Sequence, residues 1–241
     1  MKKLFFLAIA LSSLSVASFA QENPYLGQNR SFLGGGISLI ISENEEPGTD
    51  FITGRSIKNN SFGISPTYGR FFNDRWAVGV TLRTGFNNSN EITTGNGFSD
   101  ETTRESTNVG ITPFLRRFIP ISERFGAYLQ PELSYVYAES NAEERFRDTN
   151  SPINDQLQTF ESTYHTGGVG LQGGLYYFIT PHFSIETSLL RLDMSYRSED
   201  RLRTDSNAQP EDNTRLTRTD IRLNLISQLS FDQILTLYYY F

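Results

Sequence analysis

An all-β chain, folded as an eight-stranded antiparallel up-and-down meander, is predicted by three features of this 241-residue sequence. Apolar residues alternate with small or polar ones through eight segments, as strands require, because successive side chains point to opposite faces. The connections are short and long by turns, the mark of sequential hairpins. No stretch beyond the N-terminus has the ~20 apolar residues of a spanning helix, and the mean hydropathy is -0.38.

The chain starts with Met1-Lys2-Lys3, an apolar run from Leu4 to Val16, and small residues at Ser18 and Ala20 before Gln21. That is the pattern of a secretory signal peptide over residues 1–20, too short to span a membrane as a helix. Residues 21–30 read as a short polar periplasmic leader. No composition break divides 31–241, which reads as one domain.

The strands follow in order. In the first, Leu33, Gly35, Ile37, Leu39 and Ile41 oppose Gly34, Gly36 and Ser38. In 61–72, Phe62, Ile64, Pro66 and Tyr68 oppose Ser61, Gly63, Ser65, Thr67 and Gly69. The clearest case is 76–86, where Trp76, Val78, Val80, Leu82 and Phe86 oppose Ala77, Gly79, Thr81, Arg83 and Gly85. In 107–119, Val109, Ile111 and Leu115 oppose Asn108, Gly110, Thr112 and Arg116. In 125–138, Leu129, Leu133, Tyr135 and Tyr137 oppose Gly126, Gln130, Glu132 and Ser134. In 166–179, Val169, Leu171, Leu175 and Tyr177 oppose Gly168, Gly170, Gln172 and Gly174. In 183–195, Phe183, Ile185 and Leu189 oppose Ser184, Glu186 and Ser188. The last, 223–241, sets Leu223, Leu225, Leu229, Phe231, Leu235, Leu237, Tyr239 and Phe241 against Asn224, Gln228, Ser230, Asp232 and Thr236. Short turns are expected at 73–75, 120–124 and 180–182, and long polar loops at 43–60, 87–106, 139–160 and 196–219.

Composition removes several classes. Nineteen Phe and 12 Tyr need burial, against disorder. Zero Cys excludes thiolate metal sites and disulfide scaffolds. A net charge of -6 and a pI near 5.1 argue against a nucleic-acid partner. No residue pattern calls for a cofactor.

The face opposite the apolar residues decides where such a barrel sits. On a soluble barrel it would meet water and carry Lys and Glu. Here it is mostly Gly, Ala, Ser and Thr, which suits the crowded interior of eight strands. The apolar face must then point outward, into lipid. A closed barrel also pairs every backbone group, as hydrocarbon requires. Phe71, Phe72, Trp76, Phe118, Phe125, Tyr176, Tyr177, Phe178, Phe183 and Tyr238 to Phe241 cluster near the short turns, and Phe86, Tyr135, Tyr137 and Tyr196 near the long loops. They are expected to form two girdles around a transmembrane β-barrel with short periplasmic turns.

With these features the chain resembles the small eight-stranded outer-membrane β-barrel proteins of Gram-negative bacteria, the group of OmpA-type and OmpX-type barrels. The resemblance covers 31–241 and is most specific in the final strand, which ends Leu237-Tyr238-Tyr239-Tyr240-Phe241. It implies a location in the cell outer membrane, contact with outer-membrane lipid and lipopolysaccharide, and a terminal signal, Tyr239 and Phe241, read by the barrel-assembly machinery.

Arg83, Arg116, Glu132 and Glu186 fall on the lumen face, where buried charges must pair. They are expected to form a network that fills the lumen. His182 reads as a solvated turn residue and His165 as an interface residue. A rim-located lipid-modifying hydrolase is the third-ranked activity, because Gly167 stands where the His-x-Ser pattern of such enzymes needs Ser. A structural or surface-interaction role ranks first, with partners reached through the loops, and a narrow channel for a small or hydrophobic solute second.

Overall fold

The computed structural model describes residues 25–47, 52–95, 97–148, 156–205, 214–226 and 236–241. The expected signal peptide over 1–20, residues 21–24 of the expected leader, and 227–235 within the expected last strand lie outside them. The strands are β1 (Ser31–Pro47), β2 (Ile52–Phe71), β3 (Trp76–Gly95), β4 (Phe98–Pro120), β5 (Phe125–Asp148), β6 (Gln156–Thr180), β7 (Phe183–Asp205), β8 (Thr214–Ile226) and β9 (Thr236–Tyr240). From β1 to β7 each pairs antiparallel with the next. β8 lies beside Arg191–Arg203 of β7 and β9 beside Phe183–Glu186. The two share one strand position, so the ring has eight. β9 also pairs with β1, Phe32 opposite Tyr240 and Gly35 opposite Leu237, which closes the barrel.

The turns at one end are as short as the sequence implies, and side chains fix them. Asn73 Oδ1 accepts from the backbone N–H of Arg75 at 2.9 Å and of Trp76 at 2.8 Å. Ser122 Oγ accepts from Phe125 N, and Thr180 Oγ1 from Phe183 N, each at 3.1 Å.

The other end differs from expectation. Most of 43–60, 87–106, 139–160 and 196–219 is not loop but strand, in hairpins that extend the barrel. The reason is environmental. Past the lipid both faces meet water, so the apolar alternation that marks a strand disappears while pairing continues. Cross-strand contacts replace it. Lys58 Nζ stands 2.7 Å from Glu43, whose hydrogen bond and charge raise the lysine pKa above its ordinary value. Arg55 Nε meets Glu91 at 2.7 Å, and Phe98 stacks on Phe146. Between β3 and β4, Gly97 takes φ +90°, a left-handed turn position that suits Gly.

β7 carries the other departure. Gly173 pairs with Leu190 and Gly174 with Ser188, leaving Leu189 as a bulge. Both Leu189 and Leu190 are exposed on the outer surface. Below the bulge Ser184 and Glu186 point inward; above it the inward set shifts to Arg191, Asp193 and Ser195.

The core lies inside the barrel at the short-turn end. Phe71, Phe118, Tyr176, Phe178, Tyr238 and Tyr240, expected in the periplasmic girdle, are buried in the lumen with Phe32, Phe114 and Tyr128. Phe72, Tyr177, Phe183, Tyr239 and Phe241 remain outside. Reading the short-turn aromatics as one belt overlooks that alternate rings of a strand must face opposite ways. Glycines on neighbouring strands make the room: a Cβ on Gly69 would collide with the Phe32 ring, and one on Gly79 with the Phe114 ring.

Candidate functional site in the barrel lumen

The lumen is built in layers, each from the inward positions of several strands. At the periplasmic end residues 25–30 lie across the mouth. Leu26 is buried, and the Tyr25 ring stacks on Phe178 at 5.2 Å. Arg124 Nε donates to Tyr25 Oη at 3.2 Å. Arg30 donates to the carbonyls of Tyr25 at 2.8 Å and Pro181 at 2.7 Å. This segment is therefore stitched to the β4–β5 and β6–β7 turns.

Above it comes an aromatic floor. Phe178 and Tyr240 rings lie 4.9 Å apart, Phe71 and Phe118 5.0 Å, and Phe118 and Tyr176 5.3 Å. Such pairs add about 0.5–1.5 kcal/mol each beyond their area.

The third layer is a charged septum. Arg116, from β4, lies within cation–π range of five rings, nearest Tyr128 at 4.6 Å. Its Nη1 donates to Glu186 Oε2 at 2.6 Å and its Nε to Gln130 Oε1 at 2.7 Å. Tyr240 Oη donates to Glu186 Oε1 at 3.1 Å. Gln130 passes the chain of bonds on, donating to Glu132 Oε2 at 3.0 Å. Arg191 Nη2 completes it at 2.8 Å from Glu132 Oε1 and also lies near Asp193. Arg83 faces the same layer, in electrostatic reach of Glu132, Asp193 and Arg191, without a direct ion pair among the described residues. Three guanidiniums thus face three carboxylates.

Exposure rises steeply outward. The Arg116 and Glu186 side chains are 3% and 2% exposed, whereas Asp193 and Arg191 reach 22% and 28%. Toward the long-hairpin side the inward positions of β1, β2, β3, β4 and β6 include Gly36, Gly63, Gly85, Gly110 and Gly168, where a Cβ would meet neighbouring atoms at 2.8–3.2 Å.

Of the residues the sequence singles out, the structure joins Arg116 to Glu186 directly and to Glu132 through Gln130, and sets Arg83 beside them. It adds Gln130, already on the predicted inner face, and Arg191 with Asp193, which the sequence reading passes over. The Leu189 bulge hides those two: strict alternation carried up from Glu186 puts Arg191 on the lipid side.

The model of the outer membrane protein beta-barrel domain family matches residues 6–225. The chain belongs to that family. This outer-membrane barrel accordingly resides in the outer membrane of a Gram-negative bacterium. Among solved structures it is similar to the outer membrane protein OprG of Pseudomonas aeruginosa, at 11% identity and TM-score 0.40, over 90% of this chain and 97% of that one. It is also similar to a major outer membrane protein of Thermus thermophilus, at 16% identity and TM-score 0.41, over 88% and 99%. The siderophore receptor PiuA of Acinetobacter baumannii is a third, at 8% identity and TM-score 0.37, over 82% and 46%. Comparison with curated proteins gives no match.

The outer surface of the outer-membrane barrel holds the other predicted positions. Tyr239 and Phe241 face outward, with rings 5.9 Å apart. The Phe241 backbone exchanges two bonds with Ser31, 2.8 and 2.9 Å. His182 does more than face solvent: its Nδ1 lies 2.9 Å from Tyr240 O, and its carbonyl accepts from Tyr240 N at 2.7 Å, clamping the last strand. His165 faces outward at the upper rim, its Nδ1 2.8 Å from Tyr135 Oη.

Proposed function

We propose that this barrel is a sealed membrane anchor that holds rigid hairpins at the cell surface for interaction with other molecules. One observation supports the reading above all: the Arg116–Glu186 septum, lying on a floor of packed rings, leaves the periplasmic half of the lumen filled. Buried charges that are paired and hydrogen-bonded resist removal, because either partner alone would be an uncompensated charge. The experiment is planar-bilayer recording of the refolded protein. Silence is the expected result, and steady nanosiemens-scale conductance would overturn the reading. A second reading, a narrow path for a small or hydrophobic solute, draws support from the partial exposure of Arg191 and Asp193 above the buried pair. Solute uptake by liposomes carrying the protein, measured against empty liposomes, separates it from the first.

The reading is non-enzymatic. His165 is engaged by Tyr135, and Gly167 offers no nucleophile where a lipid hydrolase would place one. The proposed partners are outer-membrane lipid and lipopolysaccharide around the belt, a surface partner at the hairpins, and the barrel-assembly machinery, which would read Tyr239 and Phe241 during insertion.

A further inference from the structure

The inner face of β7 holds its upper arginines in a different way from the septum. Arg116 and Arg191 are paired with Glu186 and Glu132. Arg197 and Arg201 rest instead on rings of β6. The guanidinium carbon of Arg197 lies 3.9 Å from the Tyr164 ring centroid, and that of Arg201 4.1 Å from the Phe160 centroid. Arg203 reaches the same Phe160 ring at 5.9 Å. Arg197 and Arg201 make no ion pair or side-chain hydrogen bond among the described residues, and Arg197 Nε is buried without a partner. A ring beneath a guanidinium fixes its place by cation–π attraction but occupies none of its N–H donors.

The wall behind the upper pair is packed. Phe160 and Ser162 of β6 stand opposite Ala142 and Ser140 of β5, and all four are buried. Arg201 and Arg203 are alternate residues of one strand face, about 7 Å apart at ~3.3 Å per residue. Two like charges are therefore gathered over one ring. Glu199 is the inward residue between Arg197 and Arg201, and Glu144 faces inward from β5 opposite Gln158. Neither forms an ion pair with Arg201 among the described residues. A carboxylate fills one guanidinium fork with its two oxygens. A phosphate monoester offers three oxygens and a charge of about −1.5 to −2, enough for two guanidiniums.

Position identifies where the phosphate comes from. Arg201 is half-buried and Arg203 exposed, five and seven residues beyond Tyr196 at the upper rim. The outward face of the same wall carries exposed Glu139, Glu143 and Glu161. Phosphates of neighbouring lipopolysaccharide meet those carboxylates, on the far side of the sheet from the guanidiniums.

We propose that Arg201 and Arg203, set on Phe160, bind a phosphate group from the external medium, free or as the monoester of a solute. The inference rests on the surface-interaction reading and names the chemistry that these hairpins take.

The test is ³¹P NMR titration of glucose 6-phosphate and of inorganic phosphate with the full barrel refolded in octyl glucoside micelles, with glucuronate followed by ¹H NMR as the carboxylate counterpart. Saturable binding of phosphate, well above that of glucuronate, is expected. Tighter binding of glucose 6-phosphate assigns the site to a phosphorylated solute, and tighter binding of inorganic phosphate to the free ion. Arg201→Gln/Arg203→Gln should weaken binding about tenfold or more, the loss of at least one charge-assisted hydrogen bond. Arg201→Lys/Arg203→Lys keeps both charges but loses the planar fork, and should weaken it too. Arg145→Gln/Arg147→Gln makes the same charge change on the outward face of β5 and should leave binding near wild type. Unheated gel mobility checks that each variant folds. No saturable phosphate binding, equal binding of glucuronate, wild-type affinity in the Lys variant, or an equal loss in the Arg145/Arg147 variant would overturn the proposal. A silent barrel that binds no phosphate fails here alone, and a conducting barrel fails the sealed-anchor reading alone.

Discussion

Replacing Arg116 by Ala removes the centre of the septum. The change deletes hydrogen bonds of 2.7 Å to Gln130 and 2.6 Å to Glu186, and leaves Glu186 at 2% exposure with no guanidinium beside it. Tyr240 still donates to Glu186 but brings no charge. Breaking a buried pair from one side typically costs about 3–5 kcal/mol, because the survivor stays desolvated. Lost contacts to the surrounding rings add to this, since cation–π contacts range from about 0.5 kcal/mol to 2 or more when desolvated. Removing both charges gives a different result: in Arg116→Met/Glu186→Met no charge is stranded and apolar volume replaces the pair, so the double variant should lose far less than Arg116→Ala. Urea unfolding in detergent micelles, followed by the fluorescence of the single tryptophan, Trp76, measures both. The folded band on unheated gels serves as the second probe. A loss under about 1 kcal/mol for Arg116→Ala would refute the reasoning, given the ~3–5 expected for a buried pair. So would a double variant that falls by the sum of its two single Met variants.

Three further outcomes are expected. Leu133→Arg should lose about 2–4 kcal/mol because it puts a cation into lipid, whereas Ser134→Arg, one residue on and facing the lumen, should lose clearly less; equal losses in urea unfolding would contradict the face assignment. Leu26→Glu should free the segment across the periplasmic mouth, forfeiting about 1.5–3 kcal/mol of burial. Trypsin should then cut after Arg30 about tenfold faster or more, since ~1.4 kcal/mol is a factor of ten, and an unchanged cleavage rate would show that the segment is held without Leu26. Phe241→Ala keeps both backbone bonds to Ser31, so refolding into detergent should stay near wild type while outer-membrane yield in cells drops; a normal cellular yield would remove the recognition role from that ring.

Within the membrane the fold is legible because lipid outside and a packed lumen inside impose opposite demands on alternate residues. Arg116 and Glu186 stand out for the same reason: a charge on the inward face of a narrow barrel needs a partner. Three things escape the pattern, each with a physical cause. Thr, Asn and Glu runs such as 87–94 look like loop, since a strand wet on both faces has no apolar period to show. Rings such as Phe118 and Tyr240 look like girdle, since position near a turn gives depth and says nothing of side. Arg191 and Asp193 go unnoticed because one extra residue, Leu189, reverses the parity of everything above it, and no residue type announces a bulge.

The length of the strands sets how the molecule is met from outside. The 25 residues of β6 extend about 80 Å at ~3.3 Å each. At a tilt near 40° that is roughly 60 Å of height, against an apolar band of about 25 Å. Much of each long hairpin therefore stands clear of the lipid as paired sheet, a palisade rather than a fringe of tethers. A loose loop must surrender about 1–2 kcal/mol of backbone entropy per residue when a visitor fixes it. Most of these residues have already surrendered theirs during folding, so contact with the palisade walls draws little further ordering and their shape is presented before anything arrives.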